Sequence, residues 1–308
     1  MPSNDAVPPP AVPDHAAAPG GRVVVGVDGS EDAVRAALLA AGEARRRGLP
    51  LLLVHVTPWS TGDDALPVSS AEARAEFRQS AARLVEAAAE TVRAETGLAG
   101  VTAEVVDDHP VDGLLALSAQ AALLVIGTTG IGRLPGLLLG STAGAVVQHA
   151  RCPVVVLPAE PVPADGAPVV AGVDGLPGHE EVLAFAVAEA QARGARLDVV
   201  HAWRDAGLEA ALGRFGGLVD WPAVEAVRRR HLAEVVAPWR ERAPGLEIRE
   251  VVVRERAVPA LREAAGAASL LVLGHRPRRL LARLGSTTHG VLHRVPCPVA
   301  VVPLRDDA

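Results

Sequence analysis

The segment VVVGVDGS at residues 23–30 recurs as VVAGVDGL at residues 169–176, 146 positions later, and this recurrence is the main evidence for the fold. Three further segments recur in the same order at offsets of 145 to 147: LLLVHV (51–56) as LDVVHA (197–202), LLVIG (123–127) as LLVLG (270–274), and LGSTAGAVVQHARCPVVVLP (139–158) as LGSTTHGVLHRVPCPVAVVP (284–303). Repetition at a fixed period is typical of a duplicated structural unit. The sequence predicts two tandem domains, 21–158 and 168–304, with a linker at 159–167 and a disordered tail at 1–20.

Within each repeat, short apolar runs alternate with longer segments of helical spacing. In the first repeat, helices are expected at about 31–47, 70–97, 110–120 and 141–150. The apolar runs are nearly continuous Val and Leu, which is typical of strands buried on both faces of a parallel sheet. Right-handed crossovers then give a doubly wound sheet. The predicted fold class is α/β, with two tandem doubly wound domains that each contain a five-stranded parallel sheet.

Composition excludes several classes of enzyme. The 308 residues include no lysine and no tyrosine, whereas a Walker A loop, a protein kinase and a pyridoxal enzyme each need a lysine. The net charge of −6 arises in residues 1–158, which carry 11 Arg against 17 acidic residues, while residues 159–308 carry 19 of each. This balance does not favour nucleic-acid binding.

Two cysteines exclude a disulfide framework and a four-thiolate zinc site, so reduced thiols and a cytoplasmic location are expected. Residues 1–20 lack the features of a secretory signal. Residues 113–132 contain no charge, but their Gly, Ser, Thr and Gln content indicates a helix end, a strand and a loop rather than a membrane span.

Glycines and hydroxyls follow the fourth strand of the first repeat. Gly127-Thr128-Thr129-Gly130 comes first, and Gly140-Ser141-Thr142 opens the next helix after nine intervening residues. Ligands of doubly wound sheets bind at the carboxyl ends of the strands, and a helix N-terminus with free N–H groups suits a phosphate. The alternative interpretation is that the glycines only turn the chain and that Ser141 caps the helix.

Asp28 and Asp174 end the first strand of each repeat. Either residue accepts a hydrogen bond from a ribose hydroxyl or adenine, or it caps the following helix. His55 and His201 end the second strands, where they either line the pocket or are hydrogen-bonded core residues. Cys152 and Cys297 are interpreted as small buried side chains. No His, Cys and Asp cluster has metal-ligand spacing.

The segments VGVDGS and VHV, the spacing G-x2-G-x9-G-S at 127–141 and the trailing CPVVVLP together resemble the universal stress protein family. The resemblance implies a Rossmann-like fold with strand order 3-2-1-4-5, and members with this glycine motif bind ATP. By position, Asp28 resembles the family's adenosine-contacting aspartate and Val56 the residue whose backbone meets adenine. The candidate nucleotide site comprises Gly26, Asp28, Val56, Gly127, Gly130, Gly140, Ser141 and Thr142.

The second repeat departs from this motif. It keeps a weaker set of candidate residues, Asp174, Gly274, Gly285, Ser286 and Thr287. Pro277 replaces the second glycine, the loop is two residues shorter, and HRPRRLLAR (275–283) makes it basic. Proline has no N–H to donate to a phosphate. This loop either binds a different anion through arginine or binds nothing.

The combined expectation is an ATP-binding, non-enzymatic stress or dormancy regulator whose main site lies in the first repeat. The alternatives are a slow ATPase or other nucleotide-dependent enzyme, and a ligand-free interaction module. No catalytic or metal-ligating residue is assigned, although Mg²⁺ could accompany ATP. The expected partners are an adenine nucleotide and a regulatory protein, with no nucleic acid and no membrane. We also expect an internal pseudo-dimer in which the apolar terminal strands cover each other, and further homodimerisation is left open.

Overall fold

The protein is described here from a computed structural model, in residues 21–57, 71–128, 139–158, 166–204, 220–276, 285–292 and 294–304. These residues form two compact units. The first unit holds the described residues between 15 and 162 together with those from 275 to 304, and the second holds those between 163 and 274. The last part of the second repeat therefore belongs to the first unit.

The first unit alternates strands with helices, as the apolar runs predict. Its elements are β1 (Arg22–Gly26), α1 (Glu31–Arg47), β2 (Leu51–Thr57), α2 (Ala71–Thr96), β3 (Val101–Asp107), α3 (Pro110–Ser118), β4 (Ala121–Gly127), α4 (Ser141–His149), β5 (Val154–Leu157), α8 (Ser286–Leu292) and β10 (Val299–Pro303). The strand order is β3-β2-β1-β4-β5-β10. Strands β1 to β5 are parallel to one another, so the predicted α/β class is confirmed.

The second unit has the same alternation. It contains β6 (Val169–Gly172), α5 (His179–Arg193), β7 (Leu197–Ala202), α6 (Trp221–Arg242), β8 (Ile248–Val253), α7 (Ala257–Ala265) and β9 (Leu270–His275), whose last residue falls in the first unit. Strand β6 lies between β9 and β7, and β7 pairs with β8, all in parallel. Each of these elements corresponds to an element of the first repeat in type and order.

The terminal strands of the two repeats pair with each other. Strand β10 runs antiparallel to β5, with Val299 opposite Val156 and Val301 opposite Val154. Both strands are buried. An exposed apolar edge would be an aggregation hazard, and the expectation that these two runs cover each other is confirmed.

Helix α1 shows how local sequence sets the element boundaries. Ser30 is the N-cap, and its hydroxyl accepts a hydrogen bond from the N–H of Ala33 at 3.1 Å. Gly48 ends the helix with φ of 62°, a left-handed conformation that glycine adopts at little cost. The buried face consists mainly of alanines, which let the helix lie close to the sheet.

The apolar segment at 113–132 divides as its composition indicates. Residues up to Ser118 complete α3, residues 121–127 form β4, and residues 129–132 lie outside the described part of the chain. Among the described residues, no helix is long and apolar enough to cross a membrane. Cys152 and Cys297 are buried free thiols, as interpreted, and burial raises the pKa of Cys152 to about 12.

One contact between α3 and β2 requires a glycine. A Cβ on Gly113 would lie 2.8 Å from Cγ1 of Val56, closer than carbon atoms approach in proteins. At the corresponding positions, 146 to 147 residues later, the second repeat has Ala202 and Ala260. The first repeat therefore combines a valine with a glycine at this contact, and the second combines two alanines. The total side-chain volume at the contact is approximately the same in the two repeats.

We expect Gly113→Ala to destabilise the protein, because Val56 is stiff at χ1 and overpacking costs about 1–3 kcal/mol. In a Val56→Ala background the same change should stabilise by up to about 1 kcal/mol, since only the gain in helix propensity remains. Chemical denaturation of the wild type, both single variants and the double variant measures this coupling. Additive effects of the two changes would contradict the contact.

Candidate functional site

The register of the first sheet brings three candidate residues to one level. Gly26 pairs with Val54 of β2, and Val25 pairs with Val125 of β4. When these two registers are extended by equal numbers of residues, Asp28 lies level with Val56 of β2 and with Thr128, which follows β4. From β1 the chain continues through α1 to β2 on one side of β1, whereas β4 on the other side is reached later, from β3 through α3. The strand order therefore reverses between β1 and β4, and such a switch point is where doubly wound sheets bind ligands.

Asp28 shapes the turn that follows β1. Its Oδ1 accepts a hydrogen bond from the backbone N–H of Ser30 at 3.0 Å, and Gly29 between them has φ of 91°. Because the helix cap is Ser30, Asp28 is not the N-cap that the alternative interpretation allowed. In the second unit, Asp174 accepts in the same way from the N–H of Leu176 at 2.9 Å.

The glycine-rich loop of the first repeat is closed at its base. The N–H of Gly140 donates to the carbonyl of Thr128 at 2.7 Å, and the N–H of Thr128 donates to Leu157 at 3.1 Å. Gly140 is the N-cap of α4 and has no side chain to accept from the first turn. Gly127, Thr128, Gly140, Ser141 and Thr142 are thereby brought together. Gly130 lies outside the described residues.

Gly26 and Val56 contact helix α3. A Cβ on Gly26 would lie 3.4 Å from Cδ2 of Leu114. Val56 is half-buried and lies against Gly113, as described above. These two residues therefore connect the packing of α3 to the same edge of the sheet.

Sequence reasoning missed one polar cluster beside Val56. The buried hydroxyl of Thr57 donates to Oδ1 of Asp107 at 3.0 Å, and Arg78 of α2 forms an ion pair with the same carboxylate. Asp107 is the last residue of β3, much as Asp28 lies just after β1. Its position at the end of a predicted strand is the sequence feature that could have identified it. The cluster fixes a carboxylate at the edge of the sheet.

The second repeat replaces this cluster with aromatic residues. Trp203 stands at the position of Thr57, and Arg254 stands opposite it, at the position of Asp107. The guanidinium carbon of Arg254 lies 3.7 Å from the ring centroid of Trp221 and 5.7 Å from that of Trp203. These are cation–π distances. The two repeats therefore differ in charge and in chemistry at matching positions.

The remaining candidates of the second repeat fall in different units. Asp174, which is exposed, and Gly274 belong to the second unit, whereas Gly285, Ser286 and Thr287, at the start of α8, belong to the first. Pro277 lies outside the described residues. Among the residues that the structure describes, no group of three His, Cys, Asp or Glu side chains is arranged to hold a metal ion.

The two strand-end histidines make equivalent hydrogen bonds. Nδ1 of His55 lies 2.8 Å from the carbonyl of Val27, and Nδ1 of His201 lies 3.0 Å from the carbonyl of Val173. A carbonyl only accepts, so Nδ1 carries the proton in both rings. Both residues therefore fit the interpretation as hydrogen-bonded histidines of the sheet.

The architecture defines a tandem doubly wound α/β protein with a glycine-rich loop at its topological switch point. The family model described as the universal stress protein family matches residues 21–158 and 167–303. A universal stress protein of Mycobacterium tuberculosis is 37% identical over 292 residues, which cover 91% of this chain and 96% of that protein. The chain belongs to the universal stress protein family.

A solved structure shares the fold. A universal stress protein from Archaeoglobus fulgidus has a TM-score of 0.69 at 21% identity, and the match covers 94% of this chain and 98% of that one. A universal stress protein from the same organism, solved in complex with dAMP, matches 44% of this chain and 96% of its own length at 27% identity and a TM-score of 0.34.

A buried histidine lies at the position that corresponds to Thr128. His275 ends β9, is almost fully buried, and hydrogen-bonds the backbone carbonyl of Gln148 near the end of α4. Its Nε2 has no hydrogen-bond partner among the described residues. Burial lowers the pKa of His275 below its usual value and His149 adds to this effect, while the hydrogen bond to Gln148 opposes it.

The lowered pKa of His275 predicts that acid destabilises the folded protein. Between the lowered pKa of folded His275 and the unfolded value near 6.5, the unfolded chain binds more protons, so the free energy of unfolding falls as pH drops below about 6.5. The loss amounts to at most about 1.4 kcal/mol per pH unit and ends below the folded pKa. Denaturation at several pH values should show a weaker dependence for His275→Asn.

The control for this prediction is His109→Asn, which changes an exposed imidazole of the first unit. It should leave the pH dependence of unfolding as in the wild type. Identical pH profiles for wild type and His275→Asn would contradict the assignment.

Proposed function

We propose that this universal stress protein binds ATP, or another adenine nucleotide, at the carboxyl edge of the first sheet, and acts as a non-enzymatic regulator whose nucleotide occupancy is the signal. The observation that carries this proposal is the hydrogen bond from Gly140 to Thr128. It joins the start of α4 to the strand end that lies level with Asp28 and Val56. This hydrogen bond supports the proposal because it would place the phosphate and the nucleoside of one ligand side by side.

The chemical groups at this edge of the sheet match the different parts of a nucleotide. The first turn of α4 carries N–H groups at the positive end of the helix dipole, together with the hydroxyls of Ser141 and Thr142, and these groups suit phosphate oxygens. Asp28 carries a half-buried carboxylate that suits a ribose hydroxyl or an adenine amino group. Val56 supplies an apolar surface and a backbone that suit the base.

The residues of the site favour nucleotide binding over nucleotide hydrolysis. Phosphoryl transfer needs charge stabilisation and a positioned water molecule, and the chain has no lysine to supply the first. Asp28 stands at the nucleoside end, away from the expected position of the γ-phosphate, so it is poorly placed to act as a base. These properties fit a cytoplasmic regulator whose nucleotide-bound state is recognised by a protein partner. Mg²⁺ could bind together with the nucleotide.

Gly140→Val tests the binding site, because a β-branched side chain there would obstruct a phosphate that approaches the backbone. We expect ATP affinity, measured by calorimetry, to fall at least tenfold, or about 1.4 kcal/mol. Mass spectrometry of ligand released from denatured wild-type protein should identify an adenine nucleotide. Its absence, together with no calorimetric binding, would favour the ligand-free interaction module.

The matched control is Gly285→Val, the same change at the corresponding position of the second repeat. Among the described residues, no atom lies within 4 Å of a Cβ placed on Gly285, so this variant should fold normally. Its affinity for ATP at the main site should equal that of the wild type. An equal loss in both variants would contradict the assignment of the main site to the first repeat.

We expect ATP turnover to be slow, about one per minute or less, against about 10 s⁻¹ for a typical enzyme. A steady-state assay with Mg²⁺-ATP measures this rate. Turnover above about one per second that Gly140→Val abolishes would identify an enzyme instead of a regulator.

A further inference from the structure

The second unit contains a buried histidine with an unsatisfied ring nitrogen. The side chain of His201 is only 5% exposed, and its Nδ1 donates to the carbonyl of Val173. That hydrogen bond fixes the tautomer, so Nε2 is left with a lone pair, and it has no hydrogen-bond partner among the described residues. Buried polar atoms in proteins are nearly always paired. This nitrogen is therefore able to accept a hydrogen bond, or to take up a proton and donate one, at a bound group.

Helix α6 carries two further basic side chains that act on His201. A Cβ on Gly175 would lie 3.3 Å from Nε2 of His231 and 3.8 Å from Cε1 of His201, so the two rings flank the same glycine. Arg228, one helical turn before His231, acts electrostatically on His201. In the described part of the chain, Arg228 has no ion pair, whereas the adjacent Arg229 pairs with Glu225.

The electrostatic balance at His201 is positive. Burial lowers the pKa of this residue most, the hydrogen bond to Val173 opposes that effect, Arg228 and His231 lower the pKa further, and Asp174 raises it. Within the described ranges, Asp174 is the one carboxylate that acts on the ring, and its Oδ1 already accepts from the N–H of Leu176. The basic groups thus outnumber the carboxylate that faces them.

The first repeat has apolar residues where the second has these basic ones. Arg93 of α2 donates to the carbonyl of Val101 at 2.9 Å, and Arg240 of α6 donates to that of Ile248 at 3.0 Å, at the first residue of the adjacent strand in each case. These matching contacts align the two helices at an offset of 147. At this offset, Ala81 and Leu84 stand where the second repeat has Arg228 and His231. The cluster is therefore a property of the second repeat alone.

We propose that Arg228, His231 and His201 form a binding site for a tetrahedral oxyanion, either free phosphate or the phosphate group of an ester, that takes up a proton when it binds. The proton goes from solvent to Nε2 of His201, which changes from an orphaned acceptor into a donor to the anion. Arginine and protonated imidazoles make strong, charge-assisted hydrogen bonds to phosphate oxygens. This site does not depend on the nucleotide site proposed for the first repeat.

The test is a titration of the full-length protein with inorganic phosphate, followed by long-range ¹H–¹⁵N correlation spectra of the histidine rings. Phosphate should raise the midpoint of the His201 titration by at least half a pH unit, and binding should strengthen as the pH falls from 7.5 to 6. Arg228→Gln should weaken phosphate binding at least fivefold. Acetate, a planar anion, serves as the comparison and should bind at least fivefold more weakly.

The matched control is Arg230→Gln. Arg230 is exposed, as are Arg228 and His231, but it lies on the opposite side of α6, about 200° around the helix from Arg228. The same charge is removed, so phosphate binding should stay within twofold of the wild type. Equal weakening by the two variants would show a diffuse charge effect and overturn the site.

The first-repeat variant Gly140→Val separates the two proposals. The response of His201 to phosphate should persist in it, whereas loss of the response would place the anion in the first repeat and overturn the inference. If AMP competes with inorganic phosphate for the site, the ligand is a phosphate ester. If AMP does not compete, the ligand is free phosphate. No change of His201 with phosphate in the wild type would refute the site.

Discussion

Strand β1 is the constraint on which the first unit depends. Val23, Val24 and Val25 have no exposed surface, and the strand is hydrogen-bonded to β2 on one side and to β4 on the other. A strand with neighbours on both sides and helices on both faces has no freedom to shift, because a slip of one residue would reverse every side chain. The turn after β1 is consequently fixed relative to the ends of β2 and β4. The candidate site inherits its geometry from this register.

The same constraint acts in the second unit, where β6 lies between β9 and β7. The groups at its edge have nevertheless changed. Thr57 and Asp107 of the first repeat correspond to Trp203 and Arg254, and Asp28 is half-buried whereas Asp174 is exposed. A rigid sheet permits this divergence because residues at the strand ends can change without altering the register of the paired strands. Duplication has thus produced two edges that differ in charge and chemistry on one fold.

Much of this architecture could be predicted from the sequence, because apolar runs and helical spacing report burial directly. The order of elements, the boundaries of α4 and the buried cysteines followed from local pattern. The contact of Val56 with Gly113 could not, since it depends on how α3 is placed across β2. The convergence of His201 and His231 on Gly175 depends likewise on the rotation of α6 about its axis. The family resemblance proposed Asp28 as a ligand contact, but only the structure separated its role in the turn from the capping role of Ser30.

The pairing of β5 with β10 has a consequence for how the chain is made. Strand β5 ends at Leu157, whereas its antiparallel partner begins at Val299, at the far end of the second repeat. A ribosome synthesises the chain from the N-terminus at about 5–20 residues per second, so β10 emerges roughly 7 to 30 s after β5. During that interval the nascent first sheet has an open apolar edge at β5. Synthesis of the second repeat therefore sets how long this edge is available to chaperones or to neighbouring nascent chains on the same messenger RNA.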